Sequence, residues 1–249
     1  MIRVEKDGEI AVLRMDDGKA NAMQERFFAD LDRAFDGAAG AAAVVVAGNG
    51  KFFSGGLDLP ALSAAGRAEV EKALEHLHRT MMRIFLWPAP VVCAVNGHAI
   101  AGGCVLALQG DVRLMADGAF KIGLNEVNLG VGLPVFVFET LRCQVSPALL
   151  RRIALEGMLF APPEALDAGL IDAVVPPGDI LRAAVEKARS LSEIPPGAYA
   201  QVKGLLRNSA AEAIDRAFER NSREWVELWF SSEAQGRIGE IVAKLKNRP

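Results

Sequence analysis

Two five-residue runs constrain this chain more than any other feature of it. Ala43 to Ala47 and Val91 to Val95 are apolar throughout and rich in valine, and they run into the glycine turns Gly48-Asn49-Gly50 and Asn96-Gly97. A strand with one face in water alternates polar and apolar residues, so a run without alternation must be covered on both faces. Both segments therefore read as central strands of a mainly parallel sheet with helices on either side. The helices to cover them are present. Phe27, Phe28, Leu31, Ala34 and Phe35 recur at helical spacing and stop before Gly37, a second helix spans about Arg67 to Leu86, and a third spans about Gly102 to Leu108. Asp7-Gly8 between Ile2–Val4 and Ile10–Leu13 marks an opening hairpin. Further strands are expected at Asp111–Met115, Phe120–Ile122 and Ile171–Val175. The alternation gives an α/β fold, and its uneven unit lengths exclude a solenoid of fixed period.

Beyond Val131 the pattern is mostly helical. Pro195-Pro196-Gly197 reads as a linker, dividing the 249 residues into a core of 1–194 and a helical segment of 195–249. In that segment Ile214, Phe218, Trp225, Leu228 and Trp229 mark one face of a long helix, and Ile238, Ile241, Val242 and Leu245 one side of a final helix near Gln235 to Leu245. The two tryptophans either dock on the core or meet another subunit, and the sequence leaves both readings open.

Several function classes drop out at this level. Lysine and arginine number 28 against 31 acidic residues, with no basic stripe, so nucleic acid is not an expected partner. The three cysteines, Cys93, Cys104 and Cys143, are too few and too dispersed for a disulfide framework or a zinc site. No metal or redox cofactor is expected. Arg3, Glu5, Lys6 and Asp7 break any signal-peptide pattern, so a cytoplasmic location is expected. The longest apolar stretch, about Ala38 to Ala47, falls far short of the roughly 20 residues that span a bilayer.

Chemistry can reside in two glycine turns and one carboxylate. Ser54-Gly55-Gly56-Leu57-Asp58 follows the Phe52-Phe53 pair, and Ala101-Gly102-Gly103 opens a helix. Such turns can aim backbone N–H groups into one space and so form an oxyanion hole, or they can be turns and nothing more. Neither carries the ending of a P-loop or the spacing of a dinucleotide site. His76 and His78 lie among Glu69, Glu71, Lys72, Glu75 and Arg79 and read as a solvated helix face, while His98 has no triad partner in motif spacing. Glu126 stands in the apolar stretch Ile122-Gly123-Leu124-Asn125-Glu126-Val127. There it is either a desolvated base with a raised pKa or a helix cap or arginine partner. Asp58 and Glu139 are the other carboxylates to consider; Asp58 reads as a loop cap and Glu139 as a helix-face residue.

Taken together and in order, Phe53-Ser54-Gly55-Gly56-Leu57-Asp58-Leu59, Ala94-Val95-Asn96-Gly97, Ala101-Gly102-Gly103-Cys104, Asp111 to Ala116 and Leu166 to Val175 resemble the crotonase, or enoyl-CoA hydratase/isomerase, superfamily over essentially the whole chain. The resemblance implies a spiral of ββα units followed by a helical trimerisation segment, and hence a homotrimer or a dimer of trimers. It also implies an acyl-CoA substrate, with coenzyme A as part of the substrate rather than a cofactor. By the same resemblance the N–H groups of Gly55 and Gly102 form the oxyanion hole. Lys19, Ala20 and Asn21, together with Ser54, Gly55, Gly56, Leu57, Asp58, Leu59, Gly102 and Val105, border the substrate by that resemblance.

One departure decides the chemistry implied. Hydratases of this superfamily carry two glutamates, and here Val105 occupies the first position while Glu126 occupies the second. A valine cannot orient water, whereas shifting a proton within one substrate needs a single base. The stretches around Glu126 and Leu159 to Leu166 most resemble Δ3,Δ2-enoyl-CoA isomerases, which implies double-bond migration in fatty-acid β-oxidation. Hydration, thioester hydrolysis and non-catalytic acyl-CoA binding are the alternatives.

Overall fold

The structure is a computed structural model that describes residues 1–246. The chain opens with strand β1 (Ile2–Asp7), which pairs antiparallel with β2 (Ile10–Met15), and continues into helix α1 (Glu25–Gly37). Three units then follow in which two strands precede the helices. The first is β3 (Ala43–Ala47), β4 (Phe52–Ser54), α2 (Leu59–Ser63) and α3 (Arg67–Phe85). The second is β5 (Val91–Val95), β6 (His98–Ile100) and α4 (Gly102–Leu108). The third is β7 (Val112–Ala116), β8 (Ile122–Gly123), a 3₁₀ turn at Glu126–Leu129, α5 (Val135–Gln144) and α6 (Pro147–Glu156). The remainder is β9 (Leu159–Phe160), α7 (Pro162–Asp167), β10 (Ala173–Val175), α8 (Ile180–Ser192), α9 (Pro196–Trp229) and α10 (Ser232–Lys246). None of these helices is long and apolar enough to cross a membrane.

The first strand of each unit joins a six-stranded sheet ordered β1-β2-β3-β5-β7-β10, parallel beyond the opening hairpin. The second strand joins a separate four-stranded sheet, β4-β6-β8-β9, in which only β9 runs antiparallel. This is the spiral of ββα units of the crotonase fold. The expectation of one sheet is thereby corrected: β4, β6 and β9 are two or three residues long, too short to show a period. The strand expected at Phe120–Ile122 lies at Ile122–Gly123, and the one expected at Ile171–Val175 covers Ala173–Val175.

The uninterrupted valine run behaves as its composition demands. Val44 and Val46 belong to the main core with Phe28 and Leu31, whereas Val45 lies with Val12, Val92 and Ala184 on the opposite face, beneath α8. Period-two alternation thus distributes one apolar run between two cores. Burying each valine stabilises the fold by about 1.5–3 kcal/mol.

Pro195-Pro196-Gly197 is the start of α9 rather than a linker. Pro196 occupies the first turn, where a missing N–H costs nothing because that group has no intrahelical partner. A buried charge cluster fastens this end of α9 to the core. Asp111 accepts from Lys203 Nζ at 2.7 Å, from Arg207 at 2.7 Å and from the Val91 N–H at 2.8 Å. Arg207 also donates to the carbonyls of Phe85, Gln109 and Gly110 and lies over the Phe85 ring. Burial pushes the Lys203 ammonium down to about 8 despite the opposing pull of Asp111. Further along, Ile214, Trp225, Val226 and Trp229 enter the same buried cluster as Leu13 and Met81. Of the two readings left open for the tryptophans, docking on the core is the one realised. Residues 247–249 of the C-terminal segment lie outside the described residues.

His78 also departs from its expectation. It is half-buried, stacks on Phe218 with ring centroids 3.7 Å apart, and its Nε2 has no hydrogen-bond partner. Burial lowers its pKa. A histidine surrounded in sequence by charges sits, in three dimensions, between α3 and α9.

Candidate active site

Because β4 and β6 are parallel neighbours, the loops that follow them emerge side by side. The fit between these loops is tight enough to dictate glycine. A Cβ on Gly56, where φ is +85°, would lie 2.8 Å from the Gly102 nitrogen, and one on Gly103 would lie 2.0 Å from the Ser54 carbonyl oxygen. Ala101, which precedes α4, adopts φ 52° and ψ −121°, a costly conformation for a residue with a side chain. Strain of this kind persists only where the surroundings over-determine it, and here it fixes the direction of the Gly102 N–H.

The hydrogen bonds within these loops correct one of the two expected donors. The Gly55 N–H donates to the Ala20 carbonyl at 2.8 Å and is therefore spent within the loop. The Gly56 N–H donates to Ser54 Oγ at 3.1 Å. The N–H groups of Leu57 and Gly102 have no partner among the described residues, and a Cβ on Gly102 would lie 3.4 Å from the Leu57 nitrogen. Both border one cavity of about 1130 Å³. The open pair is thus Leu57 and Gly102, not Gly55 and Gly102.

Glu126 reaches this cavity from the next strand. β8 pairs with β6, and the Ala101 N–H donates to the Gly123 carbonyl at 3.0 Å, which carries the turn beginning at Glu126 alongside the strained loop. Glu126 Oε2 is buried and has no hydrogen-bond partner. Burial pushes its carboxyl up to about 7, and the backbone N–H groups of Glu126 and Asn125 only partly oppose that rise. Among the described residues it neither caps a helix with its side chain nor pairs with an arginine. Of the two readings open for it, the desolvated carboxyl is the one the structure contains.

Asp16, Asp17, Asp30 and Asp58 also border the cavity, and each is engaged elsewhere. Asp17 accepts the N–H groups of Lys19, Asn21 and Ala22, and Asp16 that of Gly18. Asp30 faces Arg26 and Arg33, and Asp58 caps α2 through the Ala61 N–H at 2.9 Å. Val105, one turn into α4, presents only methyl groups.

Lys19, Ala20, Asn21, Gly55, Gly56, Leu57, Asp58, Leu59, Gly102 and Val105 all line the cavity. Ser54 does not. It is fully buried behind the loop, donating to the Asn21 carbonyl at 2.8 Å, so its role is to shape the turn. Glu139 pairs with Arg142 on a helix face, and His98 accepts the Lys121 N–H at 3.0 Å. Sequence reasoning missed the far wall: Leu74, Leu77, Val131, Val137, Trp225 and Trp229. The i, i+4 spacing of the tryptophans was a signal of a shared face, but not of what that face meets.

Residues 5–241 match the family model described as enoyl-CoA hydratase/isomerase. The mitochondrial enoyl-CoA delta isomerase 1 of Rattus norvegicus is 28% identical, over 99% of this chain and 88% of its own length. The crystal structure of human mitochondrial delta3-delta2-enoyl-CoA isomerase superposes with a TM-score of 0.92 at 26% identity, covering 98% of both chains. That of an enoyl-CoA hydratase from Mycobacterium marinum gives 0.84 at 33% identity, covering 90% of this chain and 99% of the other.

Proposed function

This chain belongs to the enoyl-CoA hydratase/isomerase family, and from that premise we propose that it is a Δ3,Δ2-enoyl-CoA isomerase with Glu126 as its only acid–base group. The observation that carries the reading is a lone, unpartnered carboxyl with Val105 where a second glutamate would be needed to hold water. The Glu126 carboxylate takes a proton from C2 of a 3-enoyl-CoA. The C–H electron pair forms a C1–C2 double bond as the carbonyl pair moves onto the thioester oxygen, giving a dienolate. The N–H groups of Leu57 and Gly102 hold that oxyanion, and each such donor is worth about 10²–10³ in rate. Protonated Glu126 then delivers the same proton to C4, the double bond settles between C2 and C3, and the carbonyl re-forms. A base that must both take and return a proton works best with a pKa near the ambient pH, and about 7 meets that requirement.

The proposal extends to assembly as a homotrimer or a dimer of trimers. Val202, Leu205 and Leu206 on α9 are 53%, 68% and 71% exposed, a large apolar surface for one helix to leave in water. Light scattering should give a mass of three or six chains.

The reaction is tested by giving one preparation 3-enoyl-CoA and crotonyl-CoA in parallel. Formation of 2-enoyl-CoA without comparable water addition supports the isomerase reading. Hydration at a similar rate overturns it in favour of a hydratase, and binding without turnover of either overturns it in favour of a carrier.

A further inference from the structure

The cavity that Glu126 borders has two kinds of lining. Asp16, Asp17, Lys19 and Arg26 line its exposed part, whereas Leu74 and Leu77 of α3, Val137 of α5, and Trp225 and Trp229 of α9 line its buried part. The two indoles are stacked, with centroids 5.4 Å apart and planes at 25°. They are 5% and 3% exposed, and Ala234 and Ile238 of α10 lie fully buried in the same cluster, so the rings have protein rather than solvent behind them.

The wall is also held in place. Trp225 Nε1 donates to the Gly132 carbonyl at 2.8 Å, which satisfies its one polar atom and ties the ring to the loop that follows the Glu126 turn. At the end of the same helix Glu227 receives both arms of Arg67, at 2.8 and 3.3 Å, and Arg67 lies over the Phe230 ring. An indole has few rotamers, and a buried stacked pair with one ring hydrogen-bonded has little freedom to swing aside.

We propose that Trp225 and Trp229 form the end wall of the acyl subsite and set the longest acyl chain this enzyme accepts without penalty. The proposal rests on the acyl-CoA reading above. An extending chain should bind about fourfold tighter for each methylene it buries, until the indoles stop it.

The test measures affinity for saturated acyl-CoAs from butanoyl to hexadecanoyl, by calorimetry, on the full chain and on Trp225→Ala and Trp229→Ala. Because saturated thioesters cannot isomerise, the readout is independent of turnover. Parent affinity should climb with length and then break. Each alanine variant should move the break outward by about two or more methylenes, into the space the ring vacates. Trp229→Phe keeps a flat apolar wall with less volume, should move the break by about one methylene, and remains informative where an alanine variant does not fold. A parent without a break, or variants whose break does not move, would overturn the wall while leaving the reaction intact. Failure to bind any acyl-CoA would overturn the acyl-CoA reading and the wall with it.

Discussion

Asp111 and Glu126 are both carboxyl groups withdrawn from water, and the protein treats them in opposite ways. Asp111 is met by two cations and a backbone N–H within 2.8 Å, while Glu126 Oε2 meets nothing. Removing an ion from water costs several kcal/mol unless the protein supplies equivalent partners. At the root of α9 the partners are supplied, and the charges hold a helix to the core. In the cavity the cost is left standing, and the carboxyl answers by holding its proton to about pH 7. A satisfied buried charge secures structure; an unsatisfied one facing a cavity is kept for something that enters the cavity.

The contrast can be broken, most sharply at Glu126. Glu126→Gln keeps shape and volume but removes the base, so isomerisation should fall by about 10³-fold or more. A variant retaining full turnover would show that the lone carboxyl is not the proton carrier. Asp111→Ala should act on stability instead. It leaves Lys203 and Arg207 buried without their anion and should cost about 3–5 kcal/mol in urea denaturation. Loss of activity without loss of stability in that variant would erase the distinction.

Acidity sharpens the same contrast. A base with its pKa raised to about 7 is progressively protonated below that value, so kcat/KM for the isomerisation should fall about tenfold per pH unit on the acid side. The smallest effect is on stability and has the opposite sign to catalysis. Because the folded state binds the Glu126 proton more tightly than the unfolded chain, whose glutamate titrates near 4.5, the ionised carboxyl destabilises the fold above neutrality. Each tenfold difference in proton affinity between the two states is worth about 1.4 kcal/mol, and water entering the cavity softens the cost. In urea denaturation near pH 8.5, Glu126→Gln should therefore be more stable than the parent by about 1–3 kcal/mol. The gain should shrink as pH falls through 7 and vanish near 4.5.

The parts of this molecule that were legible in its sequence are those whose signal is local. AVVVA at Ala43–Ala47 and VVCAV at Val91–Val95 announced strands buried on two sides, and Glu126 announced itself by its apolar neighbours. The second sheet was hidden because Leu159–Phe160 and His98–Ile100 are too short to display any period. The exchange of Gly55 for Leu57 was hidden for a different reason. Successive N–H groups in a glycine loop are alike in sequence, and which one stays open depends on where the Ala20 carbonyl comes to rest. The role of Trp225 and Trp229 required knowing what α9 covers.

The dependence on α9 also has a temporal side. Leu57, Gly102 and Glu126 leave the ribosome well before Trp225 and Trp229, so a nascent chain carries the two loops and the Glu126 turn before it carries the tryptophans of α9. Until α9 is joined to the core through the Asp111 cluster, the cavity beside Glu126 lacks the lining that Trp225 and Trp229 supply. Synthesis order therefore makes the complete enclosure of this cavity a late product of each chain.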